Sequence, residues 1–331
     1  MRKALFFIYV LAGLCAAAQT ETSSNNLMNE LDGKTTAPKT KTPAQVFYAQ
    51  RLINANTTEM LKKGHLEFKV VHNFGDIGGT FGGVKNAYGL DNSTDIKIGF
   101  LLGLTKNLNM IVSRNKGFGS VTQLWELGFK YRFMQQMEKD PSHPLSIAMF
   151  VNAVASSATH ARLSNNVNSP LYNFVDSSKE NGFNKTSDRQ SQVVQLMVAR
   201  KFGKILSLQL SPTLVHTNYV VPGDVNSIFA LGTAVRIPIY KKFVFIADYF
   251  HSFRTKSSKD YLISKGVHTY DALGVGLELV TPGHVFHMNF TNSHTILENR
   301  FIPRTTTTWS KGAYRWGFTV SRDFIVWKKK K

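Results

Sequence analysis

The amino-acid sequence predicts an all-β protein, namely a closed antiparallel transmembrane β-barrel of about 12 strands, with roughly 10 or 14 strands left as alternatives. Three observations predict this fold. Apolar and polar residues alternate at period two in segments of about ten residues, as they do in the strands of membrane barrels. Long and short connections alternate between these segments, and the chain begins with the pattern of a secretory leader.

Residues 1–18 are predicted to be a signal peptide. Two basic residues precede an apolar stretch that ends in three alanines, which is the usual form of a signal peptidase site. The stretch is too short to cross a bilayer, because a membrane helix needs about 20 residues. A lipoprotein signal ending at Cys15 is the alternative, but Leu14 is bulky where such a signal has a small residue. Cleavage after Ala18 removes the only cysteine, so we expect no disulfide in the exported chain.

The rest of the chain divides into four predicted segments. Residues 19–43 are rich in Thr, Asn, Lys and Ser, which predicts a disordered periplasmic linker. Residues 44–64 are more apolar and predict a short structured segment, either helix or strand, near the barrel mouth. Whether this segment plugs the barrel is open at the level of sequence. Residues 65–327 are assigned to the barrel, and residues 328–331 form a basic tail.

Period-two alternation marks the individual strands. In 123–133, the residues Trp125, Leu127 and Phe129 alternate with polar residues such as Glu126. A soluble sandwich would bury these aromatic rows in a core and leave the charges in solvent. A helical membrane protein is excluded because no apolar run beyond the leader reaches roughly 18 residues. The predicted strands are 65–74, 94–103, 107–114, 123–133, 145–154, 191–201, 204–214, 227–236, 242–251, 270–279, 284–290 and 313–322.

The connections between these strands predict how the barrel sits in a membrane. Long connections alternate with tight ones everywhere except at the neighbouring connections 115–122 and 134–144. In outer-membrane barrels the tight turns lie in the periplasm and the long loops lie outside. An even number of strands then predicts that the protein lies in the cell outer membrane with both termini in the periplasm.

Composition and net charge limit which binding partners are expected. Hydrophobic residues make up 43% and charged residues only 18% of the chain, which excludes a disordered protein. The formal net charge of +19 is expected to face anionic lipid or saccharide rather than nucleic acid, because the chain is exported. We therefore expect outer-membrane lipid and lipopolysaccharide as partners. A protein partner on the extracellular loops or the N-terminal segment is an open alternative.

Alternation also predicts the two faces of the barrel. If the apolar rows contact acyl chains, aromatic residues near the strand ends form interfacial girdles and polar residues project into the lumen. We expect Lys130 and Arg132 to form a network with Glu126, and Arg315 to lie near the closing seam. The girdle candidates are Trp125, Tyr131, Tyr249, Tyr314, Trp316 and Trp327. The lumen-lining candidates are Glu67, Lys69, Lys97, Glu126, Lys130, Arg132, Gln195, Gln209, Arg236, Glu278, His287 and Arg315.

Several patterns associated with catalysis lack the required context. The glycine-rich stretch 75–83 is not followed by a helix or by a Gly-Lys-Ser/Thr motif, so it predicts no phosphate site. His284 and His287 point to opposite faces of a strand and cannot share a metal ion. His251 and Ser252 likewise face opposite ways, which breaks a hydrolase triad. The sequence therefore predicts no enzyme, no catalytic residue, no cofactor and no metal site.

One set of motifs resembles a known family. Residues 47–75 are followed by the motifs Tyr-Gly-Leu-Asp-Asn at 88–92 and Lys-Tyr-Arg-Phe at 130–133. This set resembles a family of Bacteroidota outer-membrane β-barrels that is described only as a domain of unknown function. The resemblance covers roughly residue 46 to the C-terminus. It implies a barrel in the outer membrane and brings no established activity.

Two functions follow from the predicted lumen. A barrel of about 12 strands leaves a narrow path, and basic residues along it predict a pore for small solutes with a weak anion preference. The alternative is a non-conducting structural or interaction barrel, in which the lumen charges pair with one another. Such a barrel would serve as a subunit of an outer-membrane assembly.

Overall fold

A computed structural model describes residues 42–240, 242–281 and 283–327 of the 331-residue chain. The predicted signal peptide, nearly all of the predicted linker and the basic tail lie outside these residues. The described chain is built almost wholly from β-strands and the loops that join them.

Twelve antiparallel strands form one closed sheet, which confirms the predicted fold class. Each strand pairs with its neighbours in sequence, and β1 pairs with β12 to close the barrel. The seam runs from His65 opposite Ile325 to Asp76 opposite Arg315. The strands are β1 (His65–Asp76), β2 (Ser93–Gly103), β3 (Leu108–Phe118), β4 (Val121–Met134), β5 (Ser146–Ser156), β6 (Gln190–Phe202), β7 (Leu206–Thr217), β8 (Ser227–Tyr240), β9 (Phe243–Phe253), β10 (Ala272–Thr281), β11 (His284–Thr291) and β12 (Arg315–Ile325).

The connections give the barrel two different ends. At the turn end, where β1 begins, the strands are joined by 104–107, 135–145, 203–205, 241–242 and 282–283. At the opposite loop end they are joined by 77–92, 119–120, 157–189, 218–226, 254–271 and 292–314. The predicted loop 115–122 is wrong in length, because β3 and β4 keep pairing as far as Phe118 opposite Val121. Gly117 and Gly119 have positive φ there, which glycine adopts without a Cβ clash.

Side chains alternate between the inner and outer faces as predicted. On β4, the side chains of Trp125, Leu127 and Phe129 are 53%, 49% and 38% exposed, whereas Glu126 and Lys130 are buried. Two residues per repeat is the geometric period of a strand. The outer face is therefore apolar and the inner face carries the charges.

The girdle candidates lie near the two ends of the strands on the outer face. Trp125, Tyr249, Tyr314 and Trp316 are in or beside the loop-end halves of their strands, and Tyr131 and Trp327 are at the turn end. All of them are exposed or half-buried. Their contact with the lipid interface is still a prediction.

Helices are few and short. The α-helices are α1 (Lys256–Ser264) and α2 (Glu298–Arg304), and 3-10 turns occupy Val84–Gly89, Thr186–Arg189 and Trp309–Lys311. No helix in the described ranges is long and apolar enough to cross a membrane. Both α-helices lie in loop-end connections, and α2 folds back into the barrel.

If the outer face contacts lipid, Leu127→Arg will destabilise the protein by about 2–4 kcal/mol, because a cation near the bilayer midplane loses its hydration. Urea titration of the protein in lipid vesicles measures this change in the free energy of unfolding. Leu127→Ala is the matched control, since it removes the side chain without adding charge. Equal stability of the two variants would show that this row does not face lipid.

Candidate functional site

The N-terminal segment lies inside the barrel, and we name residues 42–64 the plug. It enters at the turn end, where the backbone N–H of Ala44 donates to Gln136 O at 2.8 Å. It then forms a tight turn in which Leu52 N donates to Ala55 O at 2.9 Å and Thr57 N donates to Gln50 O at 3.1 Å. The plug is neither of the predicted elements, because only isolated bridges and bends occur in it.

Asp248 holds the tip of the plug through its backbone. One carboxylate oxygen accepts hydrogen bonds from the N–H groups of Ile53, Asn54 and Ala55 at 3.0, 2.7 and 3.0 Å. The other oxygen accepts from Asn54 Nδ2 at 2.9 Å. Hydrogen bonds to a charged acceptor contribute roughly twice as much as neutral ones. This β9 carboxylate is therefore the strongest polar attachment of the turn.

Gly274 leaves the space that this attachment needs. A Cβ atom at this β10 position would lie 2.7 Å from Ile53 Cγ2 and 2.9 Å from Asp248 Oδ1. Such contacts are shorter than van der Waals distances, so a larger residue would push the plug away from β10.

An apolar wall supports one side of the plug. Polar side chains of β7 also contact the plug. Ser207 Oγ donates to Val46 O at 2.6 Å, and Gln209 Nε2 donates to Asn56 O at 2.6 Å. Burial of apolar area stabilises contact at roughly 25 cal/mol per Å². The plug residues in this cluster are Val46, Phe47, Leu52, Ile53 and Ala55. The apolar wall consists of Val193, Ala199, Val215, Ile228, Ala230, Ala234, Val244, Ile246, Phe250 and Ala272.

The β11–β12 connection fills the lumen from the loop end. Leu297 and Phe301 are fully buried, and the carboxylate of Glu298 forms an ion pair with Arg51 at 2.5 Å. Arg51 Nη2 also donates to Ile296 O at 2.5 Å. Asn56 Nδ2 donates to the same Glu298 carboxylate at 3.1 Å. The plug and α2 therefore meet inside the barrel and are joined by a buried ion pair.

The inner faces of β1 to β5 form a charged wall. Glu126 pairs with Lys97 at 2.6 Å, and Glu67 pairs with Lys69 at 2.7 Å. Lys130 donates to Gln50 Oε1 at 2.7 Å and to Thr57 O at 3.1 Å, so its partners lie on the plug.

The predicted network of Lys130 and Arg132 with Glu126 is wrong. The Glu126 carboxylate instead accepts hydrogen bonds from Lys97 Nζ, Ser113 Oγ and Asn152 Nδ2 at 2.6, 2.6 and 2.8 Å. Arg132 is half-buried and donates to Lys106 O at 3.3 Å at the turn end.

The remaining lumen candidates lie on the inner face, and each has polar contacts. Gln195 Nε2 donates to Thr213 Oγ1 at 2.8 Å. Glu278 accepts from Arg236 at 2.8 Å and lies 3.2 Å from His287 Nε2. Arg315 forms an ion pair with Asp76 beside the seam. Whether these side chains line a conducting path remains a prediction.

A cavity of about 40 Å³ remains between the plug and the charged wall. Its lining includes Arg51 and Asn56 from the plug and Lys69, Lys97 and Lys130 from the wall. This volume holds only a few water molecules. The plug therefore leaves only a small charged space against this wall.

A cluster of charged side chains ties the loops together at the loop end, and we name it the loop-end cluster. Its carboxylates are Glu180 and Asp224, and its cations are Arg254, Arg300 and Arg304. Arg304 contacts both carboxylates, and Arg300 Nη2 lies 3.0 Å from Glu180 Oε2. The cluster joins 157–189, 218–226 and the segment after β9 to α2. It therefore fixes α2 in the barrel mouth.

The histidines show no metal centre. In the parts of the chain that the structure describes, no group of three His, Cys, Asp or Glu side chains is placed to hold a metal ion. His294 lies in the loop 292–314, where burial and the charge of Arg315 lower its pKa to about 3. The imidazole of His294 is therefore neutral at physiological pH and stacks on Phe118 with ring centroids 4.2 Å apart.

Sequence reasoning missed Asp248 as a plug ligand and missed the apolar wall. A signal was present in β9, where Asp248 is the only charged residue of an otherwise largely apolar strand. The other buried side chains on the inner face of β9 are apolar, namely Val244, Ile246 and Phe250. An isolated carboxylate on its inner face therefore indicates a partner in the lumen.

Comparisons with known proteins agree on a membrane barrel. The family described as Membrane bound beta barrel domain (DUF5777) matches residues 47–324. No curated protein matches the sequence.

Solved outer-membrane proteins match most of this chain at low identity. The NanC porin is 7% identical, with 78% of this chain and 98% of that chain covered and a TM-score of 0.42. The KdgM porin is 9% identical, with 78% and 99% covered and a TM-score of 0.41. The COG4313 outer membrane channel from Pseudomonas putida F1 is 11% identical, with 82% and 100% covered and a TM-score of 0.46.

Asp248→Asn is expected to loosen the plug by about 2–3 kcal/mol, because three buried N–H groups lose a charged acceptor. Hydrogen exchange at the amides of residues 53–55 should accelerate by roughly 30- to 150-fold, as this free energy implies. Asp260→Asn on the exposed α1 is the control. Unchanged protection in Asp248→Asn would mean that other contacts hold the plug.

The loop-end cluster should weaken only in strong acid. Burial by itself raises the pKa of Glu180, but the charges of Arg300 and Arg304 and their hydrogen bonds outweigh it and lower the pKa to about 2. A folded-state pKa below the ordinary value of 4.5 means that Glu180 stabilises the fold above that value. The contribution is expected to decline as the pH falls from 4.5 towards about 2.

Hydrogen exchange of α2 over this pH range, corrected for intrinsic rates, measures that decline. Glu180→Gln should show little of it, since the glutamine carries no titrating group. The same pH dependence in both proteins would assign the effect to another carboxylate.

Proposed function

We propose that this chain, which belongs to the family of membrane-bound β-barrel domains of unknown function, is a gated outer-membrane channel for small solutes. The plug closes the lumen, and its displacement opens a path along the charged wall. The observation that carries this proposal is the division of the lumen: the plug packs on the apolar wall, and the remaining space lies against charged side chains.

The charged wall supports a path that water can fill. Lys69, Lys97 and Lys130 are buried or half-buried on the inner face, where each would be expensive to keep without hydration or a partner. An interior meant only to be packed is more stable with apolar residues of similar volume. Ionisable residues inside a membrane protein accordingly mark solute pathways.

The balance of charge supports a weak preference for anions. Once the plug leaves, the inner faces of β1 to β5 carry the cations Lys69, Lys97, Lys130 and Arg132 and the carboxylates Glu67, Asp95 and Glu126. The buried charges of Arg51 and Glu59 leave with the plug and cancel. Cations then exceed carboxylates by one along this wall, which attracts anions from solution.

Strand number and loop lengths support the solute size and the orientation. Barrels of about 8 strands are filled by side chains, and those of about 16 hold wide aqueous channels, so 12 strands fit small solutes. We place the turn end and both termini in the periplasm, because outer-membrane barrels keep their short turns there.

A structural or interaction barrel is the second candidate, and exposed apolar side chains on two loop-end connections favour it. Phe81 and Val84 are each 75% exposed, and Val167 and Phe174 are 72% and 58% exposed. Large apolar groups in solvent often mark a protein contact. This function requires no open state.

Conductance in planar bilayers separates the two functions. The full chain should be mostly silent, and Asp248→Asn should open more often because the plug is held less tightly. In the Asp248→Asn background, Lys130→Glu should move the reversal potential in a salt gradient towards cation selectivity.

Lys204→Glu is the control for charge, because Lys204 lies exposed in the turn between β6 and β7. It should leave the reversal potential almost unchanged. A folded Asp248→Asn barrel that stays silent while residues 53–55 exchange freely would contradict the channel and favour the interaction barrel.

A further inference from the structure

A second cavity of about 40 Å³ lies at the loop end, away from the charged wall. Loops 157–189 and 218–226 surround it together with α2 and the adjoining strand ends. Phe183 and Tyr219 form an aromatic edge on it, with ring centroids 6.1 Å apart. This position faces the side of the barrel that the loops cover, so a solute reaches it without passing the plug.

The acidic and the basic side chains around this cavity differ in how many of their hydrogen-bonding atoms have partners. Its acidic residues all have partners: Asp224 and Glu180 bind arginines, and Asp188 accepts from the backbone N–H of Asn184 and Lys185 at 2.9 and 2.8 Å. Its arginines keep free donor capacity.

Two guanidinium groups carry this unused capacity. Arg300 Nε and Arg304 Nη1 are buried and have no hydrogen-bond partner among the described residues. The side chains of Arg300 and Arg304 are only 11% and 12% exposed. A buried donor without an acceptor costs about 1–3 kcal/mol, so native proteins rarely keep one without a reason. Both residues line the cavity. The two nitrogens are themselves covered, so a small rotation of each guanidinium group would bring them to an acceptor held there.

We propose that this loop-end cavity binds the carboxylate or phosphate group of a small anionic solute. Arg300 and Arg304 supply the donors, because guanidinium groups match the oxygens of these anions in paired geometry. Arg189 lines the same cavity and adds a third positive charge. A volume of about 40 Å³ admits one such anionic group, so the rest of the solute lies towards the aromatic edge and the solvent.

Helix α2 connects this site to the plug. Arg300 and Arg304 lie on the same short helix as Glu298, whose carboxylate pairs with Arg51 of the plug at 2.5 Å. An anion that draws the two arginines away from Glu180 and Asp224 shifts α2, and with it the ion pair that joins α2 to the plug. This link to opening rests on the proposed channel function, whereas binding of the anion does not.

Isothermal titration of the full chain in detergent micelles tests the site. Inorganic phosphate and sodium acetate are the two probes, used separately at constant ionic strength. We expect saturable binding of at least one probe. Arg300→Gln should weaken it by about tenfold or more, as loss of one charge-assisted contact predicts. Saturation by phosphate alone assigns a phosphate site, and saturation by acetate alone assigns a carboxylate site.

A second pair of variants keeps the test valid if Arg300→Gln fails to fold. Gln190 lines the cavity, is exposed and lies outside the loop-end cluster. Gln190→Glu should weaken the binding and Gln190→Lys should strengthen it, because each adds one charge beside the anion. Arg162→Gln, in the same loop as Glu180 but outside the cavity lining, should change nothing.

Absence of saturable heat with both probes in the unmodified protein overturns the site. Binding that ignores the Gln190 charge swap overturns it as well. Hydrogen exchange at residues 53–55, measured with the bound probe, tests the link to the plug separately. Faster exchange supports the link, and unchanged exchange removes it while the site stands. A barrel that binds the probe but never conducts in bilayers keeps the site and contradicts the channel.

Discussion

The requirement that every backbone polar group in a lipid environment finds a partner determines this structure. An open sheet would expose the N–H and C=O groups of two edge strands to hydrocarbon, which cannot bond them. Pairing of β1 with β12 removes both edges and creates an enclosed interior. The interior is too wide to be filled by strand side chains alone. The plug and α2 enter it from opposite ends and are joined there by the buried ion pair of Arg51 with Glu298.

The interior has an apolar wall on one side and a charged wall on the other, and the two walls have different roles. Apolar side chains on β6 to β10 give the plug a packing surface, and Asp248 within that region fixes its register through three backbone N–H groups. Across the lumen, Lys97 and Glu126 pair with each other rather than with the plug. One side therefore holds the plug by apolar packing and through Asp248. The other side contacts the plug through Lys130, while Lys97 and Glu126 keep an ion pair of their own.

The fold could be predicted from the sequence because every membrane strand repeats the same alternation of apolar and polar residues. Lipid makes the outer face of every strand apolar, so the period of two survives along β4 even though its inner residues differ in role. The plug could not be predicted in this way, since 44–64 has no periodicity and takes its shape from the walls around it. Alternation along β9 puts Asp248 on the face opposite to Tyr249, but its partners are 193–195 residues away in the chain. The pairing of Glu126 with Lys97 depends on strand register, which the residues of one strand do not contain.

The position of the plug in the sequence, before the first strand, affects the order in which the native contacts form. The plug precedes β1, yet its ion pair with Glu298 spans 247 residues and its contact with Asp248 spans about 195. Contacts of such sequence separation form late, because the intervening chain must first be ordered. The β1–β12 seam has the same character, since His65 and Ile325 pair across 260 residues. Barrel closure and plug seating are therefore both late steps, and residues 42–64 must stay within reach of the lumen until the last strand has paired.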